Sequence, residues 1–414
     1  MGGNKVVSFL RKYMMLIATV IVVIAFYFIT GGKTLYPMNI DSLISQNAYV
    51  FILGTGMLLC ILTGGNIDLS VGSVVCLAGG VGAMILKYIP NEWWPLAFVA
   101  MIAMGLLVGL WHGFWIAYVK VPPFIATLVG MLAFRGLANI IMGGYAIPVE
   151  DKTFLNLFGG GSSCYVPDFL RFIAPNSSLN VTCMTAGILI AAGYAVFTFV
   201  NRTRLIKQGY KVDSLLAVII KTFLIVAVVL WFSYKLAGYM GIPTALIWIA
   251  LILGVFAYIT TKTTLGRNLY AVGGNEKATR LSGIDTRKVM FSAYTLMGVL
   301  SGFAGIVNIA RLQSSTPTYG VGYEMDAIAA CFIGGASAYG GTGSIGGVII
   351  GAALMGIINQ GMSIADTPVN YQKVVKGIVL IVAVLFDVIM QMRRKGAKKK
   401  TTDVAAAEKG GAKA

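Results

Sequence analysis

Charged side chains are scarce in this 414-residue chain, at 11% of the residues, whereas a soluble domain has about 25%. Hydrophobic residues account for 57%, and the mean hydropathy is +0.83. So little charge excludes an ordinary soluble domain. The apolar runs are long enough to cross a bilayer as helices, which takes roughly 20 residues each. The composition therefore predicts an integral, all-α polytopic membrane protein.

The sequence also lacks the motifs of an enzyme. It contains no GxxxxGK[ST] phosphate-binding loop, so the chain does not hydrolyse ATP itself, and no GxSxG or HExxH motif. Its five cysteines form no CxxC pair, and its one histidine, His112, lies in an apolar run as a structural or pore-lining residue. We therefore expect a transport subunit without catalytic residues, metal site or cofactor.

Apolar segments follow one another along the chain, and we predict about twelve transmembrane or half-membrane helices. The segments are 14–30, 44–63, 71–88, 95–119, 123–142, 181–200, 216–234, 244–262, 290–312, 326–341, 346–364 and 371–391. Because segment 14–30 is longer than the apolar core of a signal peptide and no small-residue cleavage site follows, we interpret it as an uncleaved first helix. The transmembrane permease domain is predicted over 1–391, and residues 392–414 are predicted to be a disordered Lys-rich tail.

The distribution of charge predicts the orientation. The net charge is +17, but the basic residues lie in loops and in the tail, as membrane topology requires, so no nucleic-acid partner is expected. One set of loops and the tail carry Arg202, Arg204, Lys207, Lys211, Lys262, Arg267, Lys277, Arg280, Arg287, Lys288, Arg393, Arg394, Lys395, Lys398, Lys399 and Lys400. The opposite loops carry Glu150, Asp151, Asp168, Glu324 and Asp366. With an even number of spans, both termini are predicted to be cytoplasmic.

Two glycine-rich stretches resemble each other: residues 63–73 (TGGNIDLSVGS) and 333–344 (IGGASAYGGTGS). In each, an apolar helix is followed by Gly-Gly, small residues, a serine and another apolar helix, which indicates an internal repeat. Glycine-interrupted segments in two halves of a transporter point to broken helices near the pathway, although close helix packing also uses glycine. The candidate pathway residues are Gly64, Gly65, Asn66, Asp68 and Ser70 in the first stretch and Gly334, Gly335 and Ser344 in the second.

Few charged residues are expected to be buried within the spans: Asp68, Arg135 and Asp326. A carboxylate at membrane depth costs about 2.5–3.5 kcal/mol on insertion scales, so water, a helix N-terminus or a partner such as Asn66 or Ser70 must stabilise Asp68. This scarcity of intramembrane charge favours a transporter powered from outside the chain over a proton-coupled one.

The predicted external loop 143–180 contains Cys164, and Cys183 begins the next helix. In an oxidising compartment these two residues can form a disulfide that would hold the loop. Two free thiols remain an equal alternative.

Several motifs, in order along nearly the whole chain, resemble the monosaccharide-type permeases of ATP-binding-cassette (ABC) importers. They are residues 64–72 (GGNIDLSVG), 124–138 (FIATLVGMLAFRGLA), 265–284 (LGRNLYAVGGNEKATRLSGI) and 323–330 (YEMDAIAA). Two additional spans around 181–234 and residues 371–380 (YQKVVKGIVL) are more similar to the xylose and multiple-monosaccharide permeases. The resemblance implies a homodimer in the bacterial inner membrane, an ATPase with two tandem nucleotide-binding cassettes, and an external sugar-binding protein.

The resemblance also implies that the loop between Lys262 and Lys288 couples the permease to its ATPase. A short helix is predicted over 275–281, with Asn275 as its cap and Gly283 as its stop. Glu276 lies near the helix N-terminus, with Arg280 placed to face it at the i,i+4 spacing. Ala278 and Leu281 would offer an apolar face to the partner.

Two other functions are compatible with the sequence. One is a self-sufficient secondary transporter or channel. The other is an ABC permease for a nucleoside, an autoinducer or a branched-chain amino acid. A neighbouring gene for a tandem ATPase would favour an importer.

Overall fold

The structure is a computed structural model that describes residues 17–385 and 388, except 161, 162, 211 and 213. In these residues the regular secondary structure is almost entirely helical. The helices are α1 (Ile17–Ile29), α2 (Pro37–Leu62), α3 (Val71–Tyr88), α4 (Trp94–Gly113), α5 (Pro123–Met142), α6 (Lys152–Phe158), α7 (Val181–Lys207), α8 (Leu215–Ala237), α9 (Thr244–Lys262), α10 (Thr264–Gly274), α11 (Glu276–Leu281), α12 (Thr286–Leu312), α13 (Tyr323–Ile333), α14 (Ile345–Ile364) and α15 (369–385). A π-helical turn, Phe114–Tyr118, extends α4.

The prediction of an all-α polytopic membrane protein is confirmed. Nine helices in the described part of the chain are long and apolar enough to cross a membrane, and every one of the twelve predicted segments contains a helix. The predicted tail 392–414 lies outside the described residues, as do residues 14–16 of the first predicted segment.

Helix α2 forms the centre of the bundle. Its side chains are buried along almost its whole length, against α12, α13, α14 and α9. Helices α7 and α8 lie at the periphery, pack mainly against each other, and expose leucine, isoleucine and phenylalanine outward. In a bilayer these exposed apolar side chains face lipid, so the pattern of burial follows from the membrane as solvent.

The predicted segment 326–341 is wrong in extent, because its helix, α13, is only a half-membrane helix. It begins at Tyr323, whose ring stacks at 3.7 Å on Tyr49, halfway along α2. It ends at Ile333, where Gly335, at φ +85°, turns the chain. The segment 313–322, which precedes α13, leads the chain back from the end of α12 to this depth without helical structure. Glycines end the helix earlier than the apolar composition predicts.

The loop 143–180 is folded back onto the helices, at the end of α12 opposite to α11. Its two-residue strand β1 (Ile147–Pro148) pairs antiparallel with β2 (Ser314–Ser315), which directly follows α12. The hydroxyl of Tyr165 donates to Asp41 Oδ2 of α2 at 2.8 Å, and Trp248 Nε1 of α9 donates to Leu157 O at 2.9 Å. These contacts fix the loop without a covalent link.

The proposed bridge between Cys164 and Cys183 is wrong in this structure, since both residues are buried free cysteines. Cys183 lies in the first turn of α7 and directs its Sγ to Ser233 O of α8 at 3.6 Å. The backbone of Cys164 instead binds the start of α9, with its carbonyl accepting from Thr244 N at 2.8 Å. The two residues therefore belong to separate packing contacts.

We expect the native protein to resist alkylation at these thiols and the unfolded protein to accept it. Burial raises the pKa of the Cys164 thiol above its ordinary value, and the nearby Asp41 carboxylate adds to the shift. The reactive thiolate is therefore rare at neutral pH. Protein unfolded in detergent without reductant should carry the alkyl group on all five cysteines by mass spectrometry, as should a sample reduced first. A peptide pair joined through Cys164 and Cys183 would contradict the structure.

Candidate translocation site

The first glycine-rich stretch forms a turn between α2 and α3, with Gly64 at φ +129° and Gly65 at φ +78°. Asp68, only 3% exposed, closes this turn: its Oδ1 accepts from Ser70 N at 2.8 Å and from Ser70 Oγ at 2.6 Å. Asn66 instead donates to Thr63 Oγ1 at 3.1 Å. The carboxylate thus lies at the N-terminus of α3, where the helix dipole favours negative charge, and Ser70 is its polar partner.

The second glycine-rich stretch contacts the first. Gly341 N donates to Leu62 O at 3.1 Å, and a Cβ on Gly65 would lie 2.0 Å from Ala338 O. Gly334, in the right-handed region, and Gly335 turn the chain after α13, and Ser344 Oγ caps α14 by accepting from Gly347 N at 3.1 Å. The two glycine-rich stretches therefore meet at one end of the bundle through Gly64 and Gly65 on one side and Ala338, Gly340 and Gly341 on the other. The predicted residues Gly334, Gly335 and Ser344 take no part in these contacts.

Helix α10 lies directly on this contact. A Cβ on Gly273 would lie 1.8 Å from Leu62 O and 2.4 Å from Gly341 N, and Tyr270 OH donates to Gly343 O at 2.9 Å. We call this meeting of three backbones the glycine junction; its glycines are Gly64, Gly65, Gly273, Gly340 and Gly341. It joins both glycine-rich stretches to the loop that carries α11.

Arg135, in the middle of α5, holds the segment before α13. Its Nη1 donates to Pro317 O at 3.0 Å and to Tyr319 O, two carbonyls of the non-helical stretch 313–322. Irregular backbone at membrane depth is tolerated only where such groups are satisfied within the protein. Glu324 is not in an external loop as predicted, because it lies in the first turn of α13, where its Oε2 would be 2.7 Å from a Cβ on Gly72.

A second cluster of polar side chains lies beside the middle of α2. Of its members, the sequence analysis singled out only Asp326. Asp326 Oδ2 accepts from Lys376 Nζ at 2.9 Å, from Tyr49 OH at 2.5 Å and from Asn359 Nδ2 at 3.4 Å. We call Tyr49, Tyr323, Asp326, Asn359 and Lys376 the Asp326 cluster. The available signal was an acid in one apolar run and two lysines, Lys373 and Lys376, in another, since opposite charges at membrane depth are expected to pair.

The loop after α9 forms the short helix expected there. The Oδ1 of Asn275 caps α11 by accepting from Ala278 N at 3.0 Å, and Gly283 follows at φ +84°. Leu281 is 89% exposed, and Ala278 is exposed as well. The loop therefore presents a capped helix with an uncovered apolar side chain.

The expected pairing of Glu276 with Arg280 is wrong. Glu276 Oε1 accepts from Thr286 Oγ1 at 3.2 Å and lies 3.9 Å from Lys120 Nζ, so it ties α11 to α12 and to the chain before α5. Arg280 instead lines an open cleft of about 490 Å³ with Lys120, Gly283, Asp285 and Arg287. The cleft and α11 form one surface with predominantly basic charge.

A bundle of apolar helices with broken segments and an exposed, capped helix at one end is typical of a membrane transport subunit. The family model described as "Branched-chain amino acid transport system / permease component" matches residues 39–384, and the chain belongs to this family. It is a multi-pass permease of the inner membrane and not an enzyme. Permeases of ABC importers work with a separate ATPase and a substrate-binding protein.

Curated relatives match along most of the chain. The xylose transport system permease protein XylH of Haemophilus influenzae is 38% identical over 387 residues, covering 91% of this chain and 96% of the relative. XylH of Escherichia coli K12 is 35% identical over 380 residues, covering 91% and 92%. The ribose import permease protein RbsC of E. coli K12 is 34% identical over 350 residues, covering 84% and 85%. No solved structure shows a significant match to the chain.

Proposed function

We propose that the chain is the membrane-spanning subunit of an ABC importer that moves a monosaccharide, a pentose or hexose, into the cytoplasm. The observation that carries the proposal is the 38% identity to a xylose permease across 91% of the chain. The absence of a phosphate-binding loop from the sequence fits this role, because ATP hydrolysis then belongs to a partner chain.

The finer assembly is part of the proposal. Two copies of the chain form the pathway, an ATPase with two tandem cassettes binds the α11 surface, and an external sugar-binding protein delivers the substrate. Both termini, including the tail 392–414, lie in the cytoplasm on the same side as α11. The basic charge of the α11 surface supports this orientation, because cytoplasmic loops carry an excess of Lys and Arg.

Uptake by the complete importer tests the function. The permease, the ATPase and the binding protein encoded beside it would be reconstituted in liposomes and offered labelled D-xylose, D-ribose, D-galactose and L-leucine. We expect ATP-dependent uptake of at least one sugar and none of leucine. Uptake that persists without the ATPase would identify a secondary transporter, and uptake of leucine alone would identify an amino-acid permease; either result would overturn the proposal.

We propose in addition that the turn at Asp68 contributes to the pathway. Asp68→Asn should leave assembly intact, since the amide oxygen still accepts from Ser70, but it weakens charge-assisted hydrogen bonds. We expect sugar uptake to fall several-fold at unchanged protein abundance. Normal uptake by an abundant variant would limit Asp68 to a capping role.

A further inference from the structure

The Asp326 cluster is buried where four helices meet. Tyr49 lies halfway along α2, Asp326 in the first turn of α13, Asn359 in α14 and Lys376 in α15. Asp326 is only 1% exposed, and the side chain of Lys376 is 23% exposed. All three described donors bind the same carboxylate oxygen, Oδ2.

The other carboxylate oxygen is buried without a hydrogen-bond partner among the described residues. The same holds for Asn359 Oδ1, whose amide nitrogen donates to Asp326 and to Asn47. An unpaired buried acceptor is unfavourable by about 1–3 kcal/mol. Two unpaired acceptors on neighbouring side chains form a site that suits hydrogen-bond donors.

The charge balance of the cluster decides which donors fit. Lys376 already neutralises Asp326 at 2.9 Å, so a second cation would meet like charge. A neutral hydroxyl group donates a hydrogen bond to an acceptor without adding charge. The stacked rings of Tyr49 and Tyr323 add apolar faces, and the Tyr323 hydroxyl donates to Asn308 Oδ1 at 2.7 Å. Aromatic faces beside hydrogen-bonding groups suit a molecule with both C–H and O–H surfaces.

We propose that the Asp326 cluster is a binding station for the hydroxyl groups of a neutral polyol on its way through the protein. Asp326 Oδ1 and Asn359 Oδ1 accept from hydroxyls of the passing molecule. The inference rests on the proposed function, because it assigns a place in the pathway to the sugar named there.

The cluster is closed in this conformation, and the fold provides a way to open it. The two tyrosine rings are in contact, so a sugar must displace the ring or the ammonium group that faces Asp326. Lys376 is carried by α15, most of whose side chains are exposed. Asp326 is carried by α13, whose other end leads directly into the glycine junction and α10. A movement of α10 would therefore act on the ends of both α13 and α2, the helices that carry Asp326 and Tyr49.

Cysteine accessibility tests the station in the complete reconstituted importer. Asn359→Cys would be treated with a small hydrophilic thiosulfonate during ATP turnover, with and without the transported sugar. Ile358→Cys is the matched control, since it is the neighbouring position in α14 and is buried in the apolar core. We expect the thiol at position 359 to be labelled, at a rate that sugar lowers at least fivefold. The thiol at position 358 should remain unlabelled. Equal labelling at the two positions, or no protection by sugar, would overturn the station.

A second variant separates binding from packing. Asn359→Leu removes the acceptor at similar volume, together with the hydrogen bonds that Nδ2 donates to Asp326 and Asn47. We expect it to lower the maximal uptake rate about tenfold, which corresponds to about 1.4 kcal/mol. ATP hydrolysis and abundance should remain normal, whereas a purely structural role would reduce all three together. If the wild-type importer takes up no sugar, the proposed function fails. If it takes up sugar and Asn359→Leu does so at the wild-type rate, only the station fails.

Discussion

Gly273→Ala is expected to prevent assembly of the permease. The added Cβ would lie 1.8 Å from Leu62 O and 2.4 Å from Gly341 N, both of them backbone atoms. A side chain can rotate away from such a contact, but here the end of α2 or the second glycine-rich stretch must shift. Overpacking of a tight contact costs about 1–3 kcal/mol, and occasionally more. We expect the variant to be nearly absent from the membrane fraction and to support no uptake.

The adjacent glycine provides the control. A Cβ on Gly274 would meet no atom within 4 Å, and the residue does not have a left-handed backbone. Gly274→Ala should therefore accumulate and transport as the wild type does. If Gly273→Ala behaved like Gly274→Ala, the three backbones would not be as close as the structure has them, and the glycine junction would not constrain α10.

The helices could be predicted from the sequence because a membrane span needs only length and apolarity. The bounds of α3, α5 and α9 agree with the predicted segments 71–88, 123–142 and 244–262. The predicted segment 326–341 extends beyond the half-membrane helix α13 because residues 334–341 are small and apolar on average. Gly335, Gly340 and Gly341 have positive φ angles, and Gly340 and Gly341 lie against the turn after α2 and against α10, contacts that composition does not record.

Contacts between residues within one helical turn could be predicted from the sequence. Contacts between residues far apart in the sequence could not. Asn275 caps α11 as expected, because a cap depends only on residues within one turn. The expected partner of Glu276 was wrong, since Lys120, far away in sequence, and Thr286 bind its carboxylate instead of Arg280. The ion pair of Asp326 with Lys376 likewise joins two separate apolar runs, and their periodicity gives no sign of which runs are neighbours.

Changes in the α11 loop are expected to separate ATP hydrolysis from transport, on the proposal that this loop receives force from the ATPase. Glu276→Lys would place a second ammonium group near Lys120 and would remove the acceptor for Thr286 Oγ1. Helix α11 would then lose its described side-chain ties to α12 and to the chain before α5. We expect the ATPase to be released, or to hydrolyse ATP with sugar uptake reduced at least tenfold. Co-purification, ATPase activity and uptake would be measured on the same preparation.

Gly283 tests the same loop through its backbone. At φ +84° a β-branched residue is strained by about 1–3 kcal/mol, although a Cβ there would meet no atom within 4 Å. Gly283→Val should therefore tilt α11 and uncouple the importer, whereas Gly283→Asn should retain function because asparagine tolerates the left-handed region. Glu276→Gln is the matching control at the other position, since its amide oxygen still accepts from Thr286. If Gly283→Val and Glu276→Lys both co-purify with the ATPase and transport at the wild-type rate, the force reaches the membrane helices through another surface.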